Sequence, residues 1–172
     1  SGDISDVCER LDKGLIDFGL VIHPADLTKH ESIRLPAMER WGLLMNRNHP
    51  LAHKETISPQ DLVGVSVFQS RHTLPKSALT EWYKDVADQI DFIGTYNLIY
   101  NAALAARSGY GCVLTLDKLV NTSGESELCF RPLDPPLTAH LDVVWKKYQI
   151  FSQAATIFLR YLQEKFSSCK ER

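Results

Sequence analysis

Several things are scarce or missing in these 172 residues. Cysteine occurs four times, at Cys8, Cys112, Cys129 and Cys169, and never as CxxC. That scatter offers neither a zinc-site pair nor a redox pair. A chain of this length folds without disulfide staples, so reduced thiols in a cytosol are expected. No window approaches the roughly 18 consecutive apolar residues of a membrane span. There is no basic excess either. The 19 Lys and Arg against 21 Asp and Glu leave a formal charge of -2, whereas nucleic-acid-binding domains are usually basic. The chain by itself is therefore not expected to bind nucleic acid. The GxSxG elbow, the P-loop and GxGxxG are all absent. So are internal repeats and low-complexity tracts. The opening "SGDISDVCER" has no initiating methionine and is too polar for a signal peptide. The chain is expected to be a fragment of a longer protein.

What remains has the balance of a soluble globular protein, 44% hydrophobic and 23% charged. The length suits one domain or two small lobes. Ile4, Val7, Cys8 and Leu11 fall at helical spacing, and Gly14 is placed to stop that helix. "LIDFGLVI" (15–22) is nearly all apolar, as in a parallel strand buried on both faces. Residues 33–46 read as one or two extended segments. "ISPQDLVG" (57–64) carries a helix-start pattern at Ser58-Pro59 and a stop at Gly64. "VSVFQS" (65–70) is a strand. Residues 76–88 place Ala78, Leu79, Trp82, Tyr83 and Val86 on one helical stripe. "DFIGTY" (91–96) is a strand, and Asn97 is placed to cap "LIYNAALAARSG", a helix apolar on more than one face and so expected to be well buried. "GCVLTL" (111–116) is a strand, followed by a short helix near 117–120. Further strands are expected near 128–133 and 141–147. A last helix starts at Ser152, with Ala154, Ile157, Phe158, Tyr161, Leu162 and Phe166 inward. Alternating strands and helices argue an α/β fold with parallel sheets. "PLDPPL" (132–137) fits a connector between lobes.

His49 and His53, in "NRNHPLAHKE", stand four apart, a spacing that on a helix could serve one metal. The HExxH glutamate is missing, no third ligand is suggested, and Pro50 disfavours the regular helix required. His49-Pro50 reads instead as a turn closing the strand before it. His23, His30, His72 and His140 show no triad signature. "SGYGC" (108–112) lies between helix and strand, the reverse of a phosphate loop, so its glycines are assigned to the turn. No catalytic constellation, metal or cofactor is expected.

Two strands run into helix starts through polar residues, at "FQSRHT" (68–73) and "GTYNL" (94–98). In open parallel sheets ligands gather at strand carboxyl ends, and helix N-termini offer N–H groups to anions. Ser70, Arg71, Thr95 and Asn97 are candidates to line such a place. Thr115, Ile22 and His23 join them as residues at strand carboxyl ends. Ser70 and Asn97 are equally well suited to be plain helix caps.

These pieces resemble the effector-binding domain of LysR-type transcriptional regulators. "KGLIDFGLVI" (13–22) looks like that family's G-x-L-D-x-x-[LIV] strand. "LLMNRNHPLA" (43–52) is similar to its strand ending in H-P-L-A. "ISPQDLVG" matches the DL turn that follows, and "SGYGCVLTL" resembles its x-G-x-G turn and strand. The order and spacing hold along nearly the whole chain. Asn48 stands where Asp is commoner, and Leu116 where Pro is common.

The resemblance implies a type II periplasmic-binding-protein-like fold, with two Rossmann-like lobes and a ligand cleft between them. It places lobe one at 1–65 with 136–172 and lobe two at 66–135. It implies that an N-terminal helix-turn-helix and the effector domain's first strand-helix-strand are missing. The function implied is a switch: a small-molecule effector, such as a carboxylate or another anion, shifts the lobes and so the attached DNA-binding domains. The full-length protein would be a cytoplasmic homo-oligomer, dimer or tetramer, reaching DNA only through the missing domain and touching no membrane. Alternatives with the same fold are a transporter's solute-binding protein and a small enzyme such as a prephenate dehydratase or a porphobilinogen deaminase domain.

Overall fold

The structure is a computed structural model that describes residues 4–22, 28–71, 73 and 77–166. It divides into two compact units. One comprises Ser1–Glu39 with Ala139–Arg172, the other Arg40–Thr138. Residues 40–65, expected with the first lobe, thus fall in the second unit. The reason is β2, a single unbroken strand from His30 to Asn46, inside which the division falls. Pro36, Glu39 and Arg40 mark no break there, because the strand runs straight through them.

The first unit is built on α1 (Ile4–Asp12), β1 (Gly19–Ile22), the first part of β2, most of β7 (Thr138–Lys146) and α4 (Gln153–Phe166). Gly14 ends α1 as foreseen. Its φ is +66°, its N–H bonds to the Leu11 carbonyl, and the Leu15 N–H reaches back to Arg10. This is the Schellman pattern, which needs a residue at ease with positive φ. Leu11 packs fully buried on Val21 and Val144. Gly19 permits that approach, because a Cβ there would lie 2.3 Å from Val7 Cγ1.

β1 corrects the expectation for 15–22. It is four residues long and antiparallel to β7, with Gly19 opposite Val144 and Ile22 opposite Leu141. Only Val21 is buried, while Leu20 is 56% exposed. The apolar run reads like a two-sided strand, yet among the described residues only one face is covered. β7 in turn neighbours β2. α4 starts where expected, with Ser152 Oγ accepting the Ala155 N–H. Its inward stripe is only partly the expected one: Leu162 is buried and Phe166 half-buried, joined by Ala155 and Leu159, while Ala154, Ile157 and Tyr161 are exposed and Phe158, 46% exposed, packs edge-on against Phe18. Both stripes have helical spacing, so periodicity alone did not choose between them.

The second unit is a mixed sheet. β3 (Ser66–Ser70) pairs in parallel with β4 (Asp91–Tyr96) and with β5 (Cys112–Leu116). The rest of β2 runs antiparallel to β5 and to β6 (Leu128–Pro132). Among the described residues, parallel strand pairing joins β3 to β4 and β5, with a further isolated parallel bridge between Ile57 and Leu133. Leu43, Met45, Ile57, Leu62, Val67 and Leu114 form the core on one face, and Leu44, Val113 and the alanines of α3 (Ile99–Arg107) that on the other. Gly42, on β2, has Thr115 opposite on one side and Pro132 on the other.

The 3-10 turn Pro59–Leu62 matches the expected short helix, with the Ser58 N–H and hydroxyl both donating to Asp61 Oδ2 at 2.9 and 2.8 Å. Three expectations change. The single helix over 76–88 is α2 (Ala78–Trp82) followed by a 3-10 turn (Lys84–Gln89), broken at Tyr83 with φ −104° and ψ 10°. Residues 117–120 are a turn, because Lys118 has φ +63° and its N–H bonds to Asp117 Oδ1. α3 buries Ala102, Ala103 and Ala106 but exposes Tyr100 and Leu104, since small residues line its inner face and large ones its outer. Among the described residues no helix is long and apolar enough to cross a membrane.

Candidate functional site

Side chains alternate along strands, so register decides who meets at a sheet's carboxyl edge. Gln69 stands beside Thr95, and Ser70 beside Tyr96. Phe68 is paired with Val113, so Thr115 lies two residues beyond that pairing on β5, as Ser70 does on β3. Four of the expected residues, Ser70, Arg71, Thr95 and Thr115, thus belong to the carboxyl ends of three neighbouring parallel strands. They divide between two faces. Ser70 and Thr115 share a face with Tyr96, and Thr95 shares the other with Gln69.

Their accessibility differs. Thr95, Asn97 and Arg71 are exposed and Ser70 half-buried. Thr115 is only 3% exposed, and its side chain hydrogen-bonds Tyr96. The Tyr96 hydroxyl also donates to the Leu114 carbonyl at 2.8 Å. Burial pushes the Tyr96 phenol above its ordinary range, with the Thr115 hydrogen bond opposing. Thr115 therefore reaches the edge through Tyr96. The Arg71 N–H extends the β4 ladder to the Tyr96 carbonyl at 2.8 Å, and the Thr73 N–H returns to the Ser70 carbonyl at 3.0 Å, so the turn after β3 is held by backbone bonds.

The helix caps fall differently from expectation. Ser77, rather than Ser70, caps α2, accepting the Thr80 N–H at 3.2 Å. Asn97 does not cap α3. Leu98 takes that position in extended conformation, with no side-chain cap bond. The first N–H groups of α3 consequently lack a side-chain cap, just past the end of β4. Asn97 is left exposed between strand and helix. In the other unit, Ile22 ends β1 and is 42% exposed; His23 lies outside the described residues.

His49 has a positive role. It precedes the 3-10 turn Pro50–His53, and its Nδ1 accepts the Leu51 N–H at 3.2 Å. An acceptor Nδ1 must be unprotonated, and burial holds the imidazole below its ordinary value. The pair His49 and His53 thus brackets a turn, as its sequence chemistry suggested. Two cavities open elsewhere in this unit. One, of about 580 Å³, lies beside α3 between Tyr100, Leu104 and Leu119. The other, of about 360 Å³, lies at the amino ends of β3 and β5, beside Ser66 and Gly111. Neither is lined by Ser70, Thr95, Asn97 or Thr115. Gln69, Tyr83 and Tyr96 were missed as polar groups of the strand-end region, because an aromatic within an apolar stripe reads as core.

Comparison with known proteins adds the context. The family described as "LysR substrate binding domain" matches residues 1–167. No curated protein matches. Among solved structures, HinK, a LysR family transcriptional regulator from Pseudomonas aeruginosa, superposes with a TM-score of 0.75 at 16% identity, covering 96% of this chain and 58% of that one. A putative LysR family regulator, the PA01 protein from Pseudomonas aeruginosa, gives 0.73 at 17%, covering 95% and 59%. The effector binding domain of QuiR in complex with shikimate gives 0.76 at 16%, covering 97% and 79%. Identities this low speak for the fold alone. This chain spans less than two thirds of the two longer regulators. Neither the transporter nor the enzyme alternative is favoured by these matches.

Proposed function

Because the chain belongs to the family of LysR substrate-binding domains, whose type II periplasmic-binding-protein-like fold it shares, we propose that it senses a small-molecule effector and carries out no reaction. The observation behind this reading is the gathering of Ser70, Arg71, Thr95 and Thr115 at the ends of three parallel strands, with Asn97 and the side-chain-uncapped start of α3 next in the chain. A helix start without a side-chain cap and a nearby cation favour an anion. The effector is accordingly a small carboxylate. Ser70, Thr95 and Asn97 supply hydrogen bonds, Arg71 supplies charge, and Thr115 acts by holding Tyr96. Ile22 and His23 stay candidates on the sequence ground alone, as residues at a strand carboxyl end, and the two compact units correspond to the fold's two lobes.

In a longer, cytoplasmic, homo-oligomeric regulator, dimer or tetramer, the bound effector would bias DNA-binding domains elsewhere in the protein. It can do so only by its difference in affinity between two arrangements of the protein. Shikimate, the ligand of the QuiR domain, is a carboxylate and the first compound to try. A thermal-shift screen of small acids tests the reading, since a ligand at 100 times its dissociation constant adds about 2.7 kcal/mol of stability. Ser70→Ala and Asn97→Ala should weaken the binder found. A screen with no stabilising compound, or a binder indifferent to both variants, removes the proposal.

A further inference from the structure

Gln69 lies next to Ser70 on β3 and on the opposite face, in register with Thr95. Its Oε1 is 3.0 Å from the Tyr83 hydroxyl. Tyr83 is anchored in the core. It is 5% exposed, its ring meets Phe92 at 5.4 Å between centroids, and it belongs to the cluster of Leu79, Val86 and Val67. The helical stripe of 76–88 breaks at this residue.

A buried phenol must give its proton to an acceptor, because an unsatisfied donor in the core costs free energy. Gln69 Oε1 is the acceptor within reach. The reverse arrangement, with the amide turned and Nε2 donating to the phenol oxygen, would strand the hydroxyl proton. Burial also holds the Tyr83 phenol above its ordinary range, so the proton stays on. The amide is thereby fixed in one sense. Oε1 is occupied, and both Nε2 protons lack a partner among the described residues. They belong to the residue in register with the exposed Thr95.

We propose that Gln69 is a specificity-determining residue of the effector site, whose Nε2 group selects a carboxylate on the ligand, and that Tyr83 is the positioning residue that, by engaging Oε1, leaves Nε2 as the donor. This rests on the strand-end effector reading above and narrows it. A ligand presenting an ammonium or another donor meets an N–H group that cannot turn to accept from it.

The test uses the whole chain and a thermal-shift library of carboxylic acids, amines and neutral sugars. Titration calorimetry then follows the tightest-binding acid and its amidine isostere. Gln69→Glu swaps the donor for an acceptor of the same shape and should weaken the acid at least tenfold. Gln69→Leu, which adds no charge, should weaken it severalfold. Tyr83→Phe keeps the ring in the core and frees the amide to turn, so the preference for the acid over the amidine should fall severalfold. A merely structural Tyr83 would lower the melting temperature and leave that ratio unmoved. Acid binding that survives both Gln69 variants but falls in Ser70→Ala overturns the assignment and spares the effector site. Binding only by amines or sugars does the same. No binding by any compound takes down both.

Discussion

The Tyr96 hydroxyl, on β4, donates to the Leu114 carbonyl on β5 at 2.8 Å, reaching past β3, which lies between the two strands. One side chain thus straps together the three parallel strands whose ends carry the proposed site. Tyr96→Phe removes the strap and little else. A net hydrogen bond is worth about 0.5–1.5 kcal/mol, so urea unfolding should show a loss of that size with an unchanged slope. Effector affinity should drop with it, because Thr115 loses its partner. Unchanged stability in the variant would mean that the strap contributes nothing.

His49 makes stability depend on pH. Its folded value is held below the ordinary 6.5 by burial. The unfolded chain therefore takes up the proton first as pH falls. The contribution is complete above about pH 6.5, declines as pH drops below that, and levels off beneath the folded value. His49→Asn keeps a capping acceptor without a titration. The stability gap between wild type and His49→Asn, measured by thermal melts at pH 7.5 and 5.5, should move in the variant's favour at the lower pH. A gap that does not change removes His49 from the account.

The thiols should separate by reactivity. Burial, reinforced by Cys129, pushes Cys112 up to about 12. Burial also raises Cys129, against the opposing pull of Arg131 and Arg47. The thiolate is the reactive form. In a Cys8→Ser, Cys169→Ser background, a maleimide at pH 7.5 should label neither remaining cysteine until denaturant is added. Rapid native labelling would contradict the burial of the β5–β2–β6 core.

Asp61 closes the turn at 58–62. Burial works against its charge, but Lys54 Nζ at 2.6 Å and the Ser58 N–H and hydroxyl together hold it below its ordinary 3.8. Its contribution is present above about pH 3.8 and is lost as pH falls through the folded value. Asp61→Asn should cost about 1 kcal/mol at pH 7, as the loss of a good cap does, and the deficit should shrink toward pH 3. A deficit that persists there would point to packing rather than charge.

Local chemistry was the legible part of this fold. Gly14, the Ser58-Pro59 helix start and the run "GCVLTL" each announce themselves through residues close in sequence, and the structure puts them to the use expected. Choices between equal local patterns were not legible. α4 has overlapping apolar stripes, and its neighbours buried Ala155 beside Leu162 and left Ile157 and Tyr161 exposed. Whether a run such as 19–22 pairs parallel or antiparallel depends on β7, far away in the chain. In the candidate site, strand ends could be found by counting. Partnerships across the sheet could not, because Tyr96 with Leu114 and Tyr83 with Gln69 join residues that no periodicity links.

Gly42 carries a warning for anyone reading function from a mutational scan. A Cβ there would lie 2.1 Å from Phe130 Cζ and 2.5 Å from the Arg131 carbonyl oxygen, and backbone atoms cannot step aside as a flexible side-chain tip can. Every substitution at this position should therefore score as loss of function, including the mildest, alanine. Gly42 also stands opposite Thr115, so it would map onto the neighbourhood of the effector residues and pass for one of them. Its intolerance would record only how tightly β6 crowds β2. Scores for folded protein, collected beside scores for activity, would tell such a position apart from one that touches a ligand.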